Sequence, residues 1–398
     1  MVVPVDGEPF AGELVLIDAA GRLTFRPIDG ETASAVGQRT FSPDNFVRWS
    51  HPPLPGPQTF VMLSDGSRLV TAADWSGGAA VRLDGETFVV LSDTFDEVRL
   101  PKARIHGLVF ANRSQPRDRQ RLEDRLRTAA EERDQIWLTN QDRLTGRISE
   151  LAGGSLTLVT DLGGAKLPLS RIEAVAFARQ GAGSGEPGIP NQLRTSPPAP
   201  RSLLVALHDG SLLRAVRVEA NASRLDVRLA GTTHLAGGTV GDVASLQSLG
   251  GRFVYLSDLE PADYRHVPYL EIAWPYHGDR NALGEPLAVG GKRYLKGLGM
   301  HSAARLTYRL DGGYRRFDAA VAIDDSAGDK GSVVLGVYVL RDGGWQTAFT
   351  SEIVRGGQEP LHVSVDVAGA QGLTLTVDYA DRGDELDHAD WLDARLVE

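Results

Sequence analysis

The chain has no cysteine among its 398 residues, which removes disulfides, thiolate metal sites and cysteine nucleophiles together. It also lacks a basic surplus: 42 Lys and Arg stand against 52 Asp and Glu, for a formal net charge of -10. A phosphate-backbone partner calls for a basic face, so no nucleic acid is expected as ligand. No stretch is long and apolar enough to cross a bilayer, so no membrane span is expected. The opening Met1-Val2-Val3-Pro4-Val5-Asp6-Gly7 carries neither a basic n-region nor an apolar h-region. The residues thus leave localisation open between a cytoplasmic protein and one whose secretion signal precedes this sequence.

Catalytic signatures are missing too. There is no Gly-x-Ser-x-Gly elbow, Walker loop, His-Glu-x-x-His or dinucleotide fingerprint with its acid. Glycoside hydrolysis needs only two opposed carboxylates, which leave no linear signature. A hydrolase with an unrecognised site therefore remains an alternative, but small domains leave no room for a large catalytic one. The expectation is a protein that is not an enzyme.

What is present is β structure. Runs such as Phe88-Val89-Val90-Leu91, Leu156-Thr157-Leu158-Val159 and Val333 to Val339 are separated by Asp-Gly, Gly-Gly and Pro-containing turns, the pattern of short strands and hairpins. The fold class expected is mainly β, with several small β-barrel-like repeats followed by a jelly-roll β-sandwich. Leu63-Ser64-Asp65-Gly66-Ser67-Arg68-Leu69 recurs loosely as Leu138-Thr139-Asn140-Gln141-Asp142-Arg143-Leu144 and as Leu207-His208-Asp209-Gly210-Ser211-Leu212-Leu213. Leu100-Pro101-Lys102-Ala103-Arg104-Ile105, ending at Phe110, matches Leu167-Pro168-Leu169-Ser170-Arg171-Ile172, ending at Phe177. Each copy reads as strand, tight turn, further strands and a one-turn helix leading into a last strand, suited to a small SH3-like or Sm-like barrel. The expected boundaries are two repeats in 1–112, a charged connecting helix in 113–135, a third repeat in 136–179, a flexible Gly/Pro/Ser linker in 180–200, a fourth, degenerate repeat in 201–251, and the sandwich in 252–398. In the connecting helix, Leu122, Leu126, Ala129 and Ala130 fall at helical spacing among Arg/Glu pairs four apart,. The repeats serve either as spacers or as units that bind a protein partner; Asp-Gly turns need no function to explain them.

The final part is the most informative. Gly290 to Ser302 is glycine-rich and ends in His301; Leu306 to Gly312 and Tyr314 to Phe317 follow, then Ile323-Asp324-Asp325 with Gly331-Ser332-Val333. Val365 to Ala370 with Leu373-Thr374-Leu375, and Asp387-His388-Ala389-Asp390-Trp391-Leu392-Asp393-Ala394-Arg395-Leu396, complete the series. In this order the stretches resemble the NPCBM family of carbohydrate-binding modules, from Phe253 to the end of the chain. The resemblance implies a galactose-binding-like jelly roll. It further implies a non-catalytic carbohydrate-binding protein that attaches to a galactose-type or cell-wall glycan, with the repeats as spacer or interaction units, and an extracytoplasmic setting, periplasmic or secreted. Ala322 stands where the family often has Gly, and Leu340 to Trp345 departs from its loop pattern, so sugar specificity does not transfer. The alternative is a protein–protein scaffold whose sandwich is structural.

Periodicity agrees without the resemblance: Leu361 to Val367 and Leu373 to Val377 alternate as two-layer strands do,. Sugar recognition needs an aromatic face for the apolar side of the ring and fixed polar groups for its hydroxyls. The candidates are His301, Asp324, Asp387, His388, Asp390 and Trp391, with Trp274 and Tyr276 in the entry loop as further platforms. His301 either donates to a sugar hydroxyl or holds the Asp387–Asp390 loop. The aspartates serve sugar hydroxyls, Ca²⁺ or turn capping, and Trp391 is either sandwich core or stacking surface. No cofactor is required; Ca²⁺ at Asp325 and Asp329 is the one metal reading, although Asp325 to Asp329 lacks the ligand order of an EF-hand.

Overall fold

The computed structural model describes residues 1–28, 37–54, 56–72, 80–110, 121–126, 129, 132–178, 201–231, 233–269, 272–381 and 383–398. The linker expected over 180–200 and most of the connecting helix expected over 113–135 lie outside these residues. Within the latter, 121–126 are helical, and Leu122 and Leu126 are buried against Phe60, Met62, Val109 and Trp137. The chain divides into two compact units, one of Met1–Val2, Pro9–Pro43 and Arg48–Ser248, the other of Val3–Glu8, Asp44–Val47 and Leu249–Glu398. Both are built of short strands, antiparallel wherever they pair.

In the first 249 residues one order of elements recurs: a strand, a turn, further strands, a one-turn 3₁₀ helix and a last strand. The same backbone bond closes each segment. The residue after the first strand donates its N–H to the last carbonyl of the 3₁₀ turn: Val5 to Asn45 at 3.1 Å, Ser64 to Arg104 at 2.9 Å, Thr139 to Arg171 at 3.0 Å and His208 to Asp242 at 3.0 Å. In three of the turns an Asp or Asn side chain accepts the N–H two residues on, Asp65 from Ser67, Asn140 from Asp142 and Asp209 from Ser211. This is the local bond that makes these residues turn formers.

Segments of the first unit pair reciprocally. The last strands Ile105–Val109 and Ile172–Ala176 run antiparallel with Leu108 opposite Val175. At their ends Phe110 N–H donates to Glu173 O at 2.8 Å and Phe177 N–H to His106 O at 3.0 Å. Phe110 and Phe177 are equivalent by sequence, as are His106 and Glu173, so the contact has a local two-fold. The hairpin turns of the second and fourth segments repeat the device, since Arg214 N–H donates to Ser67 Oγ and Val70 N–H to Ser211 Oγ, both at 2.9 Å.

The second unit is a two-sheet sandwich. One sheet runs His277–Gly278, Gly297–His301, His388–Val397, Arg316–Ile323, Leu361–Asp366, with Phe253–Tyr255 also on His388–Val397; the other runs Asp263–His266, Ala304–Arg309, Gly372–Tyr379, Ser332–Arg341, Gly344–Thr350. Alternation sets which side chains face inward: Val333, Leu335, Val337 and Val339 meet Leu373, Leu375 and Val377 in a core shared with Met300, Tyr308, Phe317 and Trp391,. The terminal strand is buried along its whole length, because its other face carries a second small core of Leu287, Val289, Tyr294, Ala322 and Leu392. Chain from the N-terminus completes this unit. Val5 and Val47 pack with Phe253, Tyr255 and Val397, and the Asp6 carboxylate bonds Arg315 at 2.6 Å and Arg252 at 3.2 Å. The compact unit therefore includes segments that precede residue 252.

The outer loop over the terminal strand demands a glycine. A Cβ on Gly299 would lie 2.2 Å from Asn281 C and 2.4 Å from Arg280 O, both backbone atoms that cannot swing away. Gly299→Ala is expected to cost about 1–3 kcal/mol or more in urea unfolding of this unit, whereas Gly344→Ala, where the nearest atom is 3.9 Å away, should stay within about 0.5 kcal/mol. Equal effects from the two would show that the contact at Gly299 is not a constraint.

Candidate functional site

At one end of the sandwich the strand register brings His301 opposite His388. The edge strand of the other sheet ends at His266, whose ring binds in two directions: Nε2 donates to Ser302 O at 2.9 Å and Nδ1 accepts Trp274 N–H at 3.2 Å. Tyr264 OH donates to Trp274 O at 2.6 Å. Trp274 is thus pinned through both backbone groups, and its indole lies flat on the His301 ring, centroids 4.5 Å apart and planes 5° apart. His388 stands 6.1 Å from Trp274 and 5.8 Å from His301. His301 Nδ1 donates to Ser302 O at 2.9 Å, which leaves Nε2 as the acceptor of that ring. His388 Nδ1 and Ser326 Oγ share a 3.0 Å hydrogen bond. Burial holds both histidines below the usual imidazole pKa, His388 additionally through His301, so both are neutral at pH 7.

Beneath the rings, Asp387 is completely buried. Its carboxylate accepts Ser302 Oγ at 2.7 Å and Ser332 N–H at 2.8 Å, tying three loops together. Burial outweighs these two donors and pushes its pKa up to about 6. Asp384 is half-buried, its charge acts on both His301 and Asp387, and it has no hydrogen-bond partner among the described residues.

The other predicted residues are placed elsewhere. Asp324 accepts Asn281 Nδ2 at 2.9 Å, Ser326 N–H at 2.9 Å and Ala288 N–H at 3.0 Å; it organises the loop over the outer face and is buried out of a sugar's reach. Asp325 takes Gly290 N–H and Gly291 N–H, both at 2.8 Å, one on each oxygen. Asp329 is exposed, and among the described residues no group of three or more His, Asp or Glu side chains can hold a metal ion. The Ca²⁺ reading of Asp325 and Asp329 does not fit this donor set, since the Asp325 oxygens already clamp a turn. Trp391 is fully buried and tilted against Phe317, so it is core and presents no face to a ring. Tyr276 leans on Tyr264, centroids 5.1 Å apart, as part of the same core. Asp390 is fully buried as well. Trp274, His301, His388 and Asp387 are the predicted residues brought together. His266, Ser302, Ser326 and Asp384 were not singled out from sequence; His266 sits in Asp263–His266, a strand too short for periodicity to mark.

With this geometry in place, likeness to known proteins is informative. The NPCBM/NEW2 domain model matches residues 252–397. Those residues are an NPCBM domain. Alpha-1,3-galactosidase B of Akkermansia muciniphila is 32% identical over 119 residues, 29% of this chain and 14% of that protein, within the NPCBM domain. A CBM51 module of Clostridium perfringens GH95, solved with methyl-galactose, is 27% identical over 36% of this chain and 99% of its own, with a TM-score of 0.33. The chain spans 7% and 14% of the length of the curated relatives it matches.

Asp390 gives the NPCBM domain a pH signature. Neither carboxyl oxygen has a donor among the described residues, and burial, then the Asp324 carboxylate, raises its pKa well above the ordinary value. Protonation removes a negative charge that burial and the neighbouring Asp324 carboxylate both disfavour,. A raised folded pKa means that stability is present at low pH and falls as pH rises from the unfolded value, near 3.8, towards the folded one. Asp390→Asn keeps the shape of the side chain and removes its ionisable proton. The variant should gain on wild type by up to about 1.4 kcal/mol per pH unit across that window; melting curves from pH 4.5 to 8 that run parallel for the two proteins would contradict this.

Proposed function

We propose that this protein is a non-catalytic glycan-binding protein whose NPCBM domain holds a sugar against Trp274, with His301, His388 and Asp384 meeting its hydroxyls. The observation that carries the reading is the Trp274 indole, half-exposed, fixed at both backbone groups and backed by a parallel His301 ring. Such a platform covers the apolar face of a pyranose without losing side-chain freedom on binding, and neutral imidazoles beside a free carboxylate supply both donor and acceptor. The family match supports the ligand class. The Akkermansia relative is an alpha-1,3-galactosidase by name, which makes galactose-containing glycans the first to try.

A hydrolytic reading fits less well. It requires two carboxyl groups facing each other across the bond to be broken, but Asp387, Asp390 and Asp324 are buried, which leaves Asp384 alone in the cluster. The segments before residue 250 are read as degenerate copies of one small barrel, linked by the recurring bond to the 3₁₀ turn, and act as spacers or as a surface for a protein partner. An extracytoplasmic setting follows from the ligand class. Among the described residues no helix is long and apolar enough to cross a membrane.

A glycan array with the full chain tests the proposal. Wild type should bind, and Trp274→Ala, shown to be folded by circular dichroism, should bind at least tenfold more weakly, about 1.4 kcal/mol. Silence of a folded wild type across the array would refute the lectin reading in favour of a protein scaffold. Binding should also hold from pH 8 to about 6.5, the ordinary histidine value, and decline only below it, because both histidine pKa values are lowered. A titration midpoint above pH 6.5 would exclude neutral His301 and His388 as the recognising groups.

A further inference from the structure

The NPCBM domain carries a second set of rings on chain that adjoins the Trp274 cluster in sequence. Tyr269 is 62% exposed and Tyr379 49% exposed, their ring centroids 6.1 Å apart and planes at 78°. Neither phenol has a hydrogen-bond partner among the described residues. Single exposed aromatics are ordinary on a protein surface. Two that meet at a right angle form a step, one face for the apolar side of a sugar and one edge at its flank, with two free phenol groups at the rim.

The step and the Trp274 cluster are carried on neighbouring stretches of chain. Tyr269 follows His266, which ends the strand beside His301 and binds Trp274. Its backbone entry is fixed by Val267 N–H donating to Ala303 O at 3.0 Å. The Tyr269 ring lies over Gly383, 3.6 Å from where a Cβ would stand. Gly383 precedes Asp384, whose charge acts on both His301 and Asp387. One short run of chain therefore passes from the tyrosine step to the free carboxylate and on to His388. Gly383 itself has φ +67°, a conformation that suits glycine and lets the ring settle against the backbone.

We infer that Tyr269 and Tyr379 form a second subsite, which takes the next sugar residue of the glycan held at Trp274, so that the domain reads an oligosaccharide rather than a terminal monosaccharide. The inference rests on the pocket proposed above. It assigns affinity to the pocket and length preference to the step, because stacking a second residue adds contact area without changing the polar contacts of the first.

The test uses the full chain and a panel made of the methyl glycosides of galactose, N-acetylgalactosamine, N-acetylglucosamine, glucose, mannose and fucose, with di- and trisaccharides ending in each. Isothermal titration should give, for whichever sugar binds, a disaccharide about five- to tenfold tighter than its methyl glycoside. Tyr269→Ala and Tyr379→Ala should each abolish that gain and leave the methyl glycoside unchanged, while Trp274→Ala weakens both. Equal affinity for mono- and disaccharide, or tyrosine variants that weaken both alike, would overturn the subsite and leave the pocket standing. Silence of wild type across the whole panel would overturn the pocket and the subsite with it.

Discussion

The candidate site depends on a strand that has no exposed face. His388–Val397 lies inside its sheet with core on both sides, and its side chains hold both layers: Trp391 enters the sandwich core, and Leu392 joins the small core over the outer face. Burial on both faces fixes register strongly, because a slip of one residue would exchange the two sets of side chains. That fixed register sets His388 opposite His301, and the buried Asp387 immediately before it holds Ser302 and Ser332 in place. The aromatic cluster is therefore positioned by packing, with hydrogen bonds refining it.

The same economy accounts for the aspartates. Asp324, Asp325 and Asp387 spend their lone pairs on backbone N–H groups, a serine hydroxyl and an asparagine amide. Loops of a sandwich carry many backbone groups that no sheet satisfies, and short acceptors on the adjoining strands satisfy them. An acidic sequence pattern at the mouth of a β-sandwich is thus as readily a set of loop clamps as a ligand set, and here the clamps dominate. Asp384, which has no donor among the described residues, is the exception.

The first 249 residues follow a different logic. Asp and Asn side chains close their hairpins locally, while one backbone bond ties each turn to the 3₁₀ turn before the last strand. Last strands and serine turns then meet in reciprocal pairs. Contacts of this kind arise when similar units present the same edge to one another, and they blunt strand edges that would otherwise be open to other chains.

Alternation along Val333 to Val339 and Leu373 to Val377, with the turn residues between, was enough to fix a mostly β chain and a C-terminal sandwich, because inward and outward faces are a local property of a pleated strand. The series of stretches from Gly290 to Leu396, in that order, carried the resemblance to the domain family. Sequence alone could not separate a buried tryptophan from an exposed one: Trp391 and Trp274 differ only in what the tertiary fold lays against them. Nor could it give the clamp role of Asp325, which depends on Gly290 and Gly291 arriving from a distant loop, or the presence of Val5 and Val47 in the second unit. Alternation and turn residues determined the fold class, and the resemblance of an ordered series of motifs pointed to the domain family; only the tertiary structure decided which polar and aromatic groups remain free for a ligand, because exposure and hydrogen-bond saturation are set by residues far apart in the chain.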